Sequence, residues 1–236
     1  MNIFKQALGS ILGGSILDIA TQKGDFIQTL TENLKSYRDI IGIDISEEAI
    51  EKARKTFGQE NIQFIQMDAG QLRFEDERFD TVSLSAALHH LDNIPQALAE
   101  AKRVLKPGGY FILAEMHRDG QTEAQLTMIQ LHHWAAAVDT ALGISHNKTL
   151  ARQEFVDYQA KLGLRDVAFY DFSDTESDPM DEAVIPELDD MIDKYTQRVV
   201  ATPDYTFLKR RGEALRRRIH EVGVQPEPIF VVVGQK

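Results

Sequence analysis

The chain has 236 residues, of which 43% are hydrophobic, and this is enough for one domain with a sizeable core. Its 26 basic and 37 acidic residues give a formal net charge of −11, which argues against nucleic acid or an anionic membrane as the main partner. The absence of cysteine excludes disulfides, thiolate metal sites and cysteine nucleophiles.

Short apolar runs alternate with helical patterns through the first half of the chain. The runs are typical of buried or half-buried strands, and they are Ser15–Ala20, Asp39–Asp44, Asn61–Asp68, Phe79–Ser85 and Tyr110–Glu115. The helical patterns between them are Phe26–Tyr37, Glu48–Phe57 and Pro95–Leu105. Strand–helix alternation of this kind predicts a parallel sheet with helices on both faces.

The second half of the chain is mainly helical in pattern. Its predicted helices are Gln121–Leu142, Leu150–Leu162 with Thr149 as N-cap, and a region that runs to about Val222. Strands are predicted over Leu164–Phe172 and Pro228–Gly234. The stretch Asp171–Asp193 contains ten carboxylates and no lysine or arginine, and we expect the basic residues of 209–218 to offset it.

Acidic residues follow the ends of the first three predicted strands, where open α/β sheets bind their ligands. Asp44 ends the second strand, 20 residues after Gly24, and a carboxylate at this position can accept hydrogen bonds from both ribose hydroxyls of an adenosine. At the third strand's end, Asp68 can meet the adenine amino group, with the Ala69 backbone as a second contact. Together with Asp18, these positions predict an adenosine site.

Five segments of the first half of the chain resemble the class I S-adenosylmethionine-dependent methyltransferases. The matching segments, in the family's order and spacing, are ILDIATQKGDF, IIGIDISEEAIEKAR, IQMDAGQL, FDTVSLSAALHHLDN and RVLKPGGYFILAE. The resemblance implies an α/β fold with a doubly wound, seven-stranded, mainly parallel sheet and an antiparallel last strand. It also implies one domain over residues 1–236, with a cofactor-binding half (1–116) and a substrate half (117–236) that carries a helical cap and the last two strands.

The resemblance further implies S-adenosylmethionine as cofactor and S-adenosylhomocysteine as product. The implied cofactor-binding residues are Asp18, Ala20, Thr21, Gln22, Gly24, Asp44, Ile45, Asp68, Ala69 and Ser85. One departure concerns the first loop, where the family usually has three glycines and this chain has Ala20, Gln22 and Gly24. Because glycine allows close approach and unusual dihedral angles, Gln22 either hydrogen-bonds the ligand's amino acid portion or weakens its binding.

Methyl transfer from a sulfonium is an in-line displacement, for which the protein mainly supplies position and a water-poor site. An acceptor hydroxyl or protonated amine also needs a base, and the candidates are His117, His133 and His146. His89 and His90 follow the fourth strand, where packing or capping is the commoner role. No H-x-x-x-H pattern occurs, so no metal site is expected.

Helical insertions that cover the sheet's carboxyl edge favour a small-molecule acceptor in a closed pocket. A non-catalytic cofactor-binding or regulatory module of the same fold is an alternative, which Gln22 favours. A nicotinamide-dependent oxidoreductase is a second alternative, although the first turn has only Gly24 of the G-x-G-x-x-G pattern. The first ten residues lack a signal-peptide pattern and no apolar run reaches the roughly 18 residues of a membrane span, so a cytoplasmic protein is expected. The oligomeric state stays open.

Overall fold

The computed structural model describes residues 3–58 and 60–236. The strands are β1 Ser15–Ile19, β2 Asp39–Asp44, β3 Ile62–Gln66, β4 Phe79–Ser85, β5 Leu105–Met116, β6 Arg165–Phe172 and β7 Ile229–Gln235. The helices are α1 Ile3–Leu8, α2 Asp25–Asn33, α3 Glu47–Thr56, α4 Ile94–Val104, α5 Glu123–Ala141, α6 Arg152–Leu162, α7 Val184–Arg198 and α8 Tyr205–Val222. None of these helices combines the length and apolar composition needed to cross a membrane.

The seven strands form one sheet in the order β3-β2-β1-β4-β5-β7-β6. The pairs β1–β2, β1–β4, β2–β3 and β4–β5 are parallel. Strand order reverses next to β1, so the chain passes from β3 back across the sheet to β4. Almost every residue of β1, β2 and β4 is buried, which requires cover on both faces. The predicted doubly wound, seven-stranded α/β fold is confirmed, and the structure places the last strand between β5 and β6.

The chain divides into two compact units. The first consists of the residues up to Glu115 together with Gln153–Asp171 and Phe230–Lys236, and it holds almost the whole sheet. The second consists of Met116–Arg152 and Phe172–Ile229. The last two strands belong mostly to the first unit, although they follow Glu115 in the sequence.

The core of the second unit is built by α5, α7 and α8 around Trp134. The indole is fully buried, and its Nε1 donates to the backbone oxygen of Leu208 at 2.8 Å. Gly212 lets α8 approach the ring, since a Cβ there would lie 2.9 Å from Trp134 Cζ2. The predicted charge compensation is present in this unit, where Arg216 pairs with Asp189 and Asp193.

Several predicted boundaries shift. Helix α6 begins at Arg152 and not at Leu150, because Thr149, predicted as its N-cap, hydrogen-bonds His133 instead. Strand β5 begins at Leu105 and therefore extends before the predicted start at Tyr110 to include two glycines. The reason is a long-range pairing: Gly108 N donates to Lys236 O at 2.8 Å, and Lys236 N donates to Gly109 O at 3.0 Å. Helix α1 was not predicted.

Candidate cofactor site

A cavity of about 590 Å³ lies at the carboxyl ends of β1 to β4, within the first unit. Its walls come from the segments that follow these strands, and they include Ala20, Gln22, Asp44, Ile45, Asp68, Ala69, Ala86, His90, Asn93 and Gln96. The first six are predicted cofactor-binding residues. The volume lies within the range of about 300–1,000 Å³ that small-molecule sites occupy. The strand ends thus bring together most of the predicted cofactor residues.

Asp18 and Thr21 support the first loop from beneath and do not line the cavity. The Thr21 hydroxyl donates to Asp18 Oδ2 at 2.6 Å, and the Ser83 hydroxyl donates to Asp18 Oδ1 at 2.7 Å. Burial raises the pKa of Asp18 to about 6, although the two hydroxyl hydrogen bonds act in the opposite direction. Asp18 therefore fixes the loop that follows β1.

The backbone of this loop has the left-handed conformation at all three positions where the family has glycine. The φ angles are 55° at Ala20, 48° at Gln22 and 93° at Gly24. Gly24 also packs so closely on Phe57 that a Cβ would lie 2.4 Å from the ring. The side chain of Gln22 is exposed. The loop consequently keeps the shape of a glycine-rich cradle, at a cost in backbone strain of about 1–2 kcal/mol for each non-glycine residue.

Asp44 has unused hydrogen-bonding capacity at the cavity wall. Its Oδ2 accepts from Gln22 N and its Oδ1 from Ser46 N, each at 2.9 Å. A carboxylate has about four acceptor positions, so about two are left for hydroxyl donors. The next residue, Ile45, has 70% of its surface exposed and presents an apolar face to the cavity. A diol next to a flat apolar ring, which is the chemistry of adenosine, fits these two residues.

Asp68 is exposed in the part of the cavity formed after β3. Its Oδ1 accepts from Gly70 N at 2.7 Å, and Gln96 Nε2 holds the same turn by donating to Gly70 O at 2.9 Å. Met67 and Ala69 are buried beside it and line the cavity. A carboxylate beside apolar side chains and a backbone is the arrangement expected for an adenine ring and its amino group.

The loop after β4 is held by Glu115, which the sequence analysis missed. This buried carboxylate accepts from Ala87 N at 2.5 Å and Leu88 N at 2.6 Å, and its other oxygen lies 3.2 Å from His89 Nδ1. The signal for it was an acid directly after the apolar run of β5. Ser85 precedes this loop without lining the cavity, whereas His90 is exposed and lines it.

The three predicted catalytic histidines lie in the second unit, and none of them lines the cavity described above. His117 is buried, and its Nδ1 accepts from Asp119 N at 3.2 Å. His133 Nε2 accepts from Thr149 N at 3.2 Å, and burial, followed by Lys148 and nearby arginines, lowers its pKa to about 4. His133 is therefore neutral at pH 7 and holds an added proton poorly. His146 Nδ1 lies 2.7 Å from Asp139 Oδ2.

Comparison with known proteins bears on the first unit. A methyltransferase-domain family matches residues 17–113. A demethylmenaquinone methyltransferase of Staphylococcus aureus is 36% identical over 109 residues, which are 46% of this chain and 45% of that protein. The chain thus spans less than half the length of that relative. The family match ends before the second unit begins, so it concerns the half of the chain that forms the cavity.

Solved structures resemble nearly the whole chain at low identity. An S-adenosylmethionine-dependent methyltransferase of Mesorhizobium loti aligns over 98% of this chain and 95% of its own, at 17% identity and a TM-score of 0.57. The [4+2]-cyclase SpnF aligns over 99% of this chain and 78% of its own, at 15% identity and a TM-score of 0.63. At these identities the likeness shows the fold, which a methyltransferase and a cyclase share.

Proposed function

We propose that this chain, whose residues 17–113 match a methyltransferase-domain family, is a class I S-adenosylmethionine-dependent methyltransferase and catalyses methyl transfer to a small-molecule oxygen, nitrogen or carbon nucleophile. One observation supports the proposal most: Asp44 lies in the wall of a cavity with about two acceptor positions unused, beside the exposed Ile45. The first loop has Ala20 and Gln22 where the family usually has glycine, yet its backbone stays left-handed at both positions. This conformation supports cofactor binding despite the side chain of Gln22.

The chemistry that S-adenosylmethionine supplies when bound is a methyl group already activated by a sulfonium, for in-line displacement. The protein's own residues would bind the cofactor and orient it. Asp44 would accept hydrogen bonds from the ribose hydroxyls, Asp68 would accept one from the adenine amino group, and Ile45 and Ala69 would keep water from the ring. Glu115 fixes the loop after β4 and so sets the position of the cavity wall that Ala86 and Ala87 form.

The acceptor is proposed to be a small molecule, and we expect the second unit to select it, since the family match stops at residue 113. The name of the Staphylococcus aureus relative supports a small acceptor such as a quinol. The net charge of −11 supports it as well, because an acidic protein repels nucleic acid. The reaction is expected in the cytoplasm.

Binding is tested by calorimetric titration of the purified full chain with S-adenosylmethionine, S-adenosylhomocysteine and NADH. Both adenosyl ligands should bind and NADH should not. Asp44→Asn should weaken adenosyl binding by about tenfold to a hundredfold, because it loses charged hydrogen bonds to the ribose. Asp190→Asn, the same change at an exposed position of α7, is the matched control. Binding of NADH alone would point to the oxidoreductase alternative.

Turnover is tested separately, by following formation of S-adenosylhomocysteine with a panel of quinols, phenols, amines and carboxylates. At least one acceptor should yield product at a rate that Asp44→Asn lowers and Asp190→Asn does not. Adenosyl binding without turnover of any acceptor in the panel would contradict the proposed catalysis and support the non-catalytic module.

A further inference from the structure

Two histidines of the second unit place their ring nitrogens side by side. His146 Nε2 lies 3.2 Å from His132 Nε2, and His146 Nδ1 lies 2.7 Å from Asp139 Oδ2. The side chains of His146 and Asp139 are only 7% and 10% exposed. The other oxygen of Asp139 lies 2.7 Å from a guanidinium nitrogen of Arg198. The pair is therefore enclosed, and its carboxylate is compensated by a cation.

The chain builds this pair by turning back along α5. His132 and Asp139 are seven residues apart in that helix, which places them on one face, two turns from each other. After the helix ends, Gly143 has a φ of 76°, and Ile144 N donates to Asp139 O at 2.9 Å. Residues 144–149 then return beside α5, so that His146 meets His132.

The geometry of the pair allows a cation between the two rings. Asp139 is an acceptor, so His146 Nδ1 carries the proton, and in the neutral ring its Nε2 then has a lone pair. That lone pair is directed at the neighbouring His132 Nε2. A neutral His132 with its proton on Nε2 would donate an ordinary hydrogen bond to this lone pair, whereas a His132 with its proton on Nδ1 would place two lone pairs 3.2 Å apart, where both can bind one metal ion. An ion about 2.0–2.1 Å from both nitrogens would subtend an angle of about 100°, close to tetrahedral.

We propose that His132 and His146 are ligands of a divalent transition metal ion of the Zn²⁺ class. Imidazole nitrogen suits Zn²⁺, Co²⁺ and Ni²⁺. The Asp139 carboxylate orients His146 in the way that carboxylates commonly support metal-binding histidines. The remaining coordination positions would take water or an oxygen or nitrogen of an acceptor molecule. Spacing within one helix does not reveal this site, because one ligand lies on α5 and the other on the segment that returns.

The second unit also provides a matched control. His220 Nε2 lies 2.9 Å from Asp189 Oδ2, so it forms the same histidine–carboxylate contact. His220 is, however, 53% exposed, and no second histidine accompanies it in the pairs found among the described residues. A metal site that needs two adjacent imidazoles should therefore involve His146 and His132 but not His220.

The test uses the full-length protein, freed of metal with a chelator and titrated with Co²⁺ or Zn²⁺. Wild-type protein should bind one ion, and Co²⁺ should give the intense visible absorption of a tetrahedral site. His132→Ala, His146→Ala and the glutamine variants of both should lose binding, and His220→Ala should keep it. Asp139→Asn should weaken binding by about tenfold to a hundredfold.

Stability provides a second measurement, which also checks that the variants fold. Zn²⁺ should raise the unfolding temperature of the wild-type and His220→Ala proteins but not that of the His132 and His146 variants. No bound ion in the wild-type protein would mean that the rings share only a proton, and the proposal would be wrong. Binding that survives in both glutamine variants would overturn it too. Neither readout depends on methyl transfer, so the proposed function is tested independently.

Discussion

The carboxylate of Asp44 accepts a hydrogen bond from the backbone nitrogen of Gln22, at 2.9 Å. Because the donor is a backbone group, the bond does not require a particular side chain at position 22. Asp18 holds the same loop through Thr21. Asp44 thus fixes the first loop through a backbone donor at position 22, whereas Asp18 fixes it through the hydroxyl of Thr21. The backbone contact helps to explain how the loop retains its left-handed backbone without glycine at position 22.

From the conformation of this loop, we expect the free energy of unfolding to depend on which residue replaces Gln22. Gln22→Gly should change the free energy of unfolding by less than about 1 kcal/mol, because relief of the left-handed strain offsets the extra chain entropy of glycine. Gln22→Val should lose about 1–3 kcal/mol, since a β-branched residue is strained at a φ of 48°. Urea unfolding measures both changes. Lys23→Val, at a neighbouring position without positive φ, should cost clearly less, and equal losses at the two positions would contradict the argument.

Glu115 is expected to be essential for the loop after β4. Glu115→Ala leaves the buried Ala87 and Leu88 N–H groups without an acceptor, which should cost about 2–5 kcal/mol of unfolding free energy. Glu115→Gln keeps the accepting oxygen and should recover most of this loss. Urea unfolding checks the order of the two variants. A glutamine variant no more stable than the alanine variant would mean that the negative charge, and not the acceptor, is what the loop needs.

Asp18 should make stability depend on pH in an uncommon direction for an acid. Burial raises its pKa from 3.8 to about 6, so folding takes up a proton between these values. This contribution is fully present below about pH 4 and is lost as the pH rises through 6. Relative to Asp18→Asn, the wild-type protein should therefore lose on the order of 2–3 kcal/mol between pH 4 and pH 7. Urea unfolding of both proteins at several pH values measures it, and a constant difference would refute the raised pKa.

Gly212 allows α8 to pack on Trp134, so added volume there should be harmful. Alanine gains about 1 kcal/mol of helix propensity, but the new Cβ would lie 2.9 Å from a buried ring whose Nε1 is already fixed. Overpacking of this kind costs about 1–3 kcal/mol, so Gly212→Ala should lower stability. In the Trp134→Phe background the same change should be neutral or favourable. Thr206→Ala on the exposed face of α8 is the control.

The sequence was sufficient to predict a doubly wound, mainly parallel sheet and the acids at the strand ends. Asp44 and Asp68 each follow an apolar run, and a parallel sheet places such ends along one edge. Glu115 was missed because its partners lie 27 and 28 residues earlier, and only the pairing of β4 with β5 brings them together. Asp139 was missed for a similar reason: the reversal after Gly143 that places His146 beside it is a tertiary feature.

The roles of His117, His133 and His146 stay predictions, and the structure separates them by environment. His133 is engaged by Thr149 and has a depressed pKa, which makes it a weaker base than the sequence alone would indicate. Such a pKa shift depends on burial and on nearby cations, and neither can be read from the amino-acid sequence. His146 has the Asp139 carboxylate as its neighbour, with 2.7 Å between Nδ1 and Oδ2.

All the residues that line the cavity lie between Ala20 and Ala97, in one uninterrupted stretch of chain. The second unit enters later, as two inserts that follow Glu115 and Asp171. Exchanging these inserts for those of another methyltransferase would leave every wall of the crevice intact. If the chain has the proposed function, chimeras built at these two junctions should still bind S-adenosylmethionine but should methylate a different acceptor. The two junctions would then allow the acceptor specificity to be changed without altering the cofactor site.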